Sequence, residues 1–81
     1  MTIKQELKHS NNGINYYVIK SEHPSRHYGI CAEMQDDKSD IAYANNLFFT
    51  ETEADRVCKW LADNEVYPVT LCEVLANLYV L

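Results

Sequence analysis

In the first half of this chain the apolar residues alternate with polar ones, and from about residue 50 they recur at every third or fourth position. Side chains alternate across a strand but return to one face of a helix every ~3.6 residues, so the two halves require different structures. Strands come first and helices follow, which is the order of the segregated α+β class. The reading is an antiparallel meander of three or four strands followed by two C-terminal helices, both packed on one sheet face. With 81 residues the chain forms a single domain, 1–81, because shorter pieces could not bury a core.

Punctuation residues divide the strands. Ile3, Gln5 and Leu7 alternate with Thr2, Lys4, Glu6 and Lys8 in a half-buried first strand. The turn Ser10-Asn11-Asn12-Gly13 follows, and its Asn-Gly pair tolerates the positive φ of a type I′ hairpin. The β-branched and aromatic run Ile14–Lys20 reads as a central strand that buries Ile14, Tyr16 and Val18. Pro24 breaks the pattern into a loop, and alternation resumes from Arg26 to Met34. Gly29 inside that strand signals a bulge or a closely approaching backbone. After a polar turn, Asp40–Ala44 is a short fourth strand, and Asn45-Asn46 turns the chain towards Leu47-Phe48-Phe49.

Each helix has a start signal. Thr50-Glu51-Thr52-Glu53 matches a capping box, and Ala54, Val57, Cys58 and Leu61 form a buried stripe behind it. Asn64 ends this helix in the left-handed conformation, and Pro68 separates it from the next. Thr70-Leu71-Cys72-Glu73 reads as a second box, with Leu71, Val74, Leu75 and Leu78 as its stripe. Tyr79 and Leu81 are placed to close over the core.

Charge and composition exclude several functions. The net charge is −5 and the cations are scattered, so the electrostatic basis for holding a phosphate backbone or an anionic membrane is missing. The helix from Leu71 onward carries one acid and no base, which rules out DNA reading. No apolar run approaches the ~20 residues of a membrane span, and Met1 to Glu6 lacks a secretory signal, so a cytoplasmic location is expected. Three widely spaced cysteines, Cys31, Cys58 and Cys72, suit buried thiols better than a disulfide framework.

Catalytic and metal patterns fail on geometry. His23 and His27 have chelating spacing only on a helix, and on an extended chain four residues span about 13 Å, too far for one ion. The same separation defeats a His27–Cys31 nucleophile pair. With only Gly13 and Gly29, no loop can cradle phosphate. The chain therefore reads as a non-enzyme, with no cofactor or metal expected.

The aromatic surplus has the most to say about function. Six Tyr, two Phe and one Trp exceed what one small core can hold. They either cap the core edges with their hydroxyls in water or form an association surface. Tyr17 and Ile19 occupy the strand face opposite Tyr16, and Trp60 lies beside its helix stripe. Tyr17, Ile19, Phe48, Phe49 and Trp60 are accordingly the candidate contact residues of a binding or regulatory module. Its partner would be another protein or a second copy of the chain. The alternative is an acidic inhibitor or nucleic-acid mimic that presents Asp36, Asp37, Asp40, Glu51, Glu53 and Asp55 to a basic groove.

Several short motifs carry a resemblance: Tyr28-Gly29-Ile30 in a strand, Asp40-Ile41 in the next, a helix ending at Asn64, then Val66-x-Pro68-x-Thr70-Leu71 and Val74-Leu75. From about Asn15 onward the chain resembles a family of short bacterial proteins known only as a domain of unknown function. It has Thr70 where such proteins often carry His. The resemblance implies the same order of elements and no established activity.

Overall fold

The computed structural model of the chain describes residues 4–21 and 27–78. Four strands, β1 (Lys4–Asn11), β2 (Ile14–Lys20), β3 (Tyr28–Met34) and β4 (Ile41–Phe48), precede the helices α1 (Glu51–Asp63) and α2 (Leu71–Leu78). A 3₁₀ turn, Pro68–Thr70, leads into α2. The strands form one antiparallel sheet in the order β1-β2-β3-β4, the expected meander with four strands. Expectations placed on Ile3, His23, Pro24, Tyr79 and Leu81 fall outside the described residues.

The first hairpin follows its local chemistry. Asn12 and Gly13 take φ of 53° and 83°, the positive values a type I′ turn needs, and bring Asn11 opposite Ile14. Ile14, Tyr16 and Val18 of β2 pack with Ile30 and Ala32 of β3 and with Ala54, Cys58 and Leu61 of α1. α1 lies across β1, β2 and β3, the 3₁₀ turn over β3 and β4, and α2 over β4. One sheet face is thus covered by helices.

Both edge strands carry bulges. In β1 the register slips at Lys8, so Leu7 opposes Tyr17 and His9 opposes Tyr16. β4 runs on to Phe48 instead of turning at Asn45-Asn46. Asn46 does take a left-handed φ of 58°, but within a bulge: Asn45, Asn46 and Leu47 together oppose Gly29 alone. The Gly29 signal is explained here. A Cβ on it would collide with the Ala44 carbonyl oxygen and stand 2.9 Å from Asn45 Cα.

The helix ends differ from expectation in instructive ways. Thr50 caps α1 as anticipated, its hydroxyl accepting from the Glu53 N–H at 3.2 Å. At the other end Asn64 keeps φ −100°, and Glu65 takes the left-handed φ of 51°. Asn64 instead donates its side-chain amide to the Trp60 carbonyl at 2.8 Å. The Val66 N–H bonds to the Leu61 carbonyl and the Glu65 N–H to the Ala62 carbonyl, both at 3.1 Å. This is a Schellman motif, and its usual apolar contact is supplied by the buried pair Leu61 and Val66. Thr70 does not cap α2. Its hydroxyl donates back to the Tyr67 carbonyl, because the 3₁₀ turn already begins at Pro68 and runs into the helix.

Two substitutions should move stability in opposite directions in urea unfolding monitored by circular dichroism. Gly29→Ala forces the β4 bulge to shift and should cost about 3 kcal/mol. Glu65→Gly relieves a non-glycine residue of its left-handed backbone and should gain about 0.5–1 kcal/mol.

Candidate functional site

The five candidate contact residues do not share one surface. Phe48 is only 1 % exposed and belongs to the core, because β4 continues through its bulge and pairs Phe48 with Tyr28 on the helix-covered side. Ile19 does lie on the opposite face, yet it is 2 % exposed. It sits on an inner strand, flanked in register by Gln5 of β1 and Gly29 of β3. Tyr17 is half-buried on that same face, its hydroxyl donating to Glu33 Oε1 at 3.0 Å. Burial, and then Glu33, pushes its phenol above the ordinary value. Phe49 and Trp60 remain open to solvent, at 60 % and 42 %.

The sheet face away from the helices is less bare than alternation suggested. Leu7, Tyr17, Cys31 and Tyr43 stand in register across all four strands. Cys31 is fully buried in this row between two tyrosines, while Leu7 and Tyr43 at its ends are exposed. Glu33 accepts from both the Tyr17 hydroxyl and Lys38 Nζ, which closes the row on one side with a charged network.

An open apolar groove lies on the helices. Arg56, Val57 and Trp60 of α1 and Leu78 of α2 line a groove of about 290 Å³. Spacing on α1 explains the first three: positions i, i+1 and i+4 share a flank, with Val57 also reaching the core and forming a nearly buried floor. Leu78 follows Leu75 by three residues, but at the end of α2 it is 46 % exposed. The opposite flank of α1 is tied to β1. Lys8 Nζ pairs with Glu51 at 3.1 Å, His9 Nε2 lies 3.0 Å from Asp55 Oδ1, and Asn11 donates to the Ala62 carbonyl at 2.7 Å. The sequence pointed to Trp60 but not to Arg56 or Leu78. The i,i+4 spacing of Arg56 and Trp60 was a usable signal, whereas the approach of Leu78 is purely tertiary.

The cations of the chain differ in their partners. Lys8, Lys38 and Lys59 are ion-paired to carboxylates, and Lys20 sits 6.0 Å over the Tyr28 ring. Arg56 has no acidic partner among the described residues.

Reactive constellations are few. The His9–Asp55 contact would orient an imidazole, but the nearby Cys58 is fully buried, and desolvation together with Asp55 pushes its thiol up to about 12. A thiol in that state is a poor nucleophile. Among the described residues no group of three His, Cys, Asp or Glu is arranged to hold a metal ion. Cys72 is exposed, contrary to the reading of three buried thiols, because it faces outward at the start of α2, with Sγ 3.5 Å from the Tyr43 carbonyl oxygen. The acidic residues form two patches. Asp36, Asp37 and Asp40 precede β4, and Glu51, Glu53 and Asp55 follow it, so an eight-residue strand, about 26 Å, separates them.

The chain belongs to DUF6514, a family of unknown function whose model matches residues 1–79. No curated protein and no solved structure matches it significantly.

The buried acids set the alkaline limit of the fold. Burial pushes Tyr16 from 10.0 to about 12, and Cys58 from 9.0 to about 12. Both groups are neutral in their protonated form and harder to ionise when folded. Their contribution is therefore complete below pH 9 and is lost as the pH rises towards 12. Urea midpoints should fall across that window, and Tyr16→Phe should flatten the fall above pH 10. In thiol labelling at pH 8, Cys72 should react in the native state, and Cys31 and Cys58 only in denaturant.

Proposed function

We propose that this chain is a non-enzymatic protein-binding module that engages a partner through the groove between α1 and α2. The reading takes it to act in the bacterial cytoplasm, where its three cysteines would stay reduced. Among the described residues no helix is long and apolar enough to cross a membrane.

One observation carries the reading: Trp60 and Leu78 are both more than two-fifths exposed beside a floor that is already packed. Neither belongs to the buried core, so folding alone gives no account of two large apolar side chains held side by side in water. Trp and Arg are the residue types that most often dominate binding energy, and here they lie one helical turn apart.

A second copy of the chain is the alternative partner, favoured by the row Leu7, Tyr17, Cys31 and Tyr43, whose ends Leu7 and Tyr43 are exposed on the sheet face away from the helices. Two such faces could pack as sheets in a sandwich do. Sedimentation of wild type and Tyr43→Lys distinguishes this arrangement, because only a sheet-face dimer dissociates on that change.

The groove itself is tested by affinity capture from lysate using wild type, Trp60→Gln, Leu78→Asp and a control, Val69→Asp. Val69 is 85 % exposed and lies in the 3₁₀ turn. A protein retained by wild type and the control, and lost from both groove variants with their circular dichroism unchanged, is the expected result. Equal retention by all four would move the contact surface elsewhere.

A further inference from the structure

We infer that the groove accepts an acidic–apolar peptide segment, with an apolar side chain between Val57, Trp60 and Leu78 and a neighbouring carboxylate on Arg56. This rests on the groove being the binding surface and goes further by fixing the chemistry of its occupant.

Charge complementarity carries the argument. Twelve acidic residues face seven basic ones in the chain, so a cation has an abundance of internal partners. Lys8, Lys38 and Lys59 all use one. Among the described residues Arg56 does not, although Glu53 lies three residues away on the same helix, and Lys20 rests on the Tyr28 ring instead. Arg56 lines the groove together with Trp60 and Leu78, and a planar fork of donors there matches a carboxylate in two-point contact.

Size narrows the occupant further. At about 290 Å³ the groove lies at the lower limit of sites that enclose a small-molecule ligand. One or two side chains of a peptide fill it, with the remaining chain crossing the helix surface. Nucleic acid does not fit, because one arginine on a chain of net charge −5 cannot hold a phosphate backbone.

The division of labour is unequal. A surface ion pair adds little affinity by itself, so the apolar anchor supplies attachment while Arg56 selects sign and orientation. Reversing the charge should therefore change which peptides bind without abolishing binding.

The test is selection from a random dodecapeptide display library against wild type, Arg56→Glu and Leu78→Asp, with single peptides then titrated on Trp60 fluorescence. Trp60 is the chain's one tryptophan, so the signal reports from the groove. Wild type should enrich peptides that pair a Leu, Phe or Trp with an adjacent Asp or Glu. Arg56→Glu should bind those peptides about tenfold more weakly and prefer Lys or Arg at the same place, and Leu78→Asp should retain none of them. Apolar peptides without an acidic preference, lost from Leu78→Asp, would overturn the acidic occupant and leave the groove reading standing. Peptides that bind all three proteins equally would overturn both. Failure to enrich any peptide, with wild type self-associating through Trp60, would assign the groove to a second copy and likewise overturn the inference.

Discussion

The fold turns on one hydroxyl. Tyr16 is fully buried in the middle of the sheet, where its phenolic O–H needs an acceptor or else carries a desolvation penalty of about 1–3 kcal/mol. It finds the Val66 carbonyl at 2.7 Å, just beyond the Schellman turn that ends α1. That carbonyl can be reached only if the turn closes as it does, with Glu65 left-handed and Val66 folded back beneath Leu61. From this anchored point Pro68 redirects the chain, and α2 is delivered over β4. A single buried polar atom thus sets where one helix stops and where the next begins.

The rest of α1 is held by its polar flank. The bulge at Lys8 brings Lys8, His9 and Asn11 towards Glu51, Asp55 and Ala62, in the same order along both elements, so α1 runs the same way as the edge strand β1. With one flank committed to β1 and the central stripe to the core, the third flank faces Leu78 of α2 across the groove. α2 is eight residues long and lies over β4 rather than against α1. The space left between the helices is the groove lined by Trp60 and Leu78. It follows from the helices' attachment to opposite edges of the sheet.

Most of the element order was legible because local chemistry and tertiary packing agree. Asn12-Gly13 forms its hairpin, Thr50 caps its helix, and Gly29 marks the close backbone it was expected to mark. Three of the misreadings share a cause: residues that tolerate positive φ serve more than one purpose. Asn46 takes the left-handed conformation in a bulge where a turn was expected, and the deciding partner, Gly29, lies on another strand. Asn64 yields that conformation to Glu65 because its own amide is used on the Trp60 carbonyl. Phe48 followed from the same error, since a strand broken at Ala44 cannot carry it into the core. Arg56 and Leu78 meet only through tertiary packing, which no spacing along the chain could reveal.

An acidic occupant for an acidic protein looks contradictory until the distances are considered. The net charge of −5 acts on an approaching anion from many directions, but beyond about 8 Å it is screened at physiological ionic strength. Inside that range the local arrangement dominates, and the groove is lined by Arg56, which has no acidic partner among the described residues. The long-range field then slows encounter while the short-range pair fixes register, the reverse of electrostatic steering. Affinity has to come from removing Trp60 and Leu78 from water, which is insensitive to the sign of the whole chain. A groove that couples two exposed apolar side chains to one cation without an acidic partner among the described residues therefore works by selection at contact, and the surrounding acidity discourages any ligand that lacks the apolar anchor.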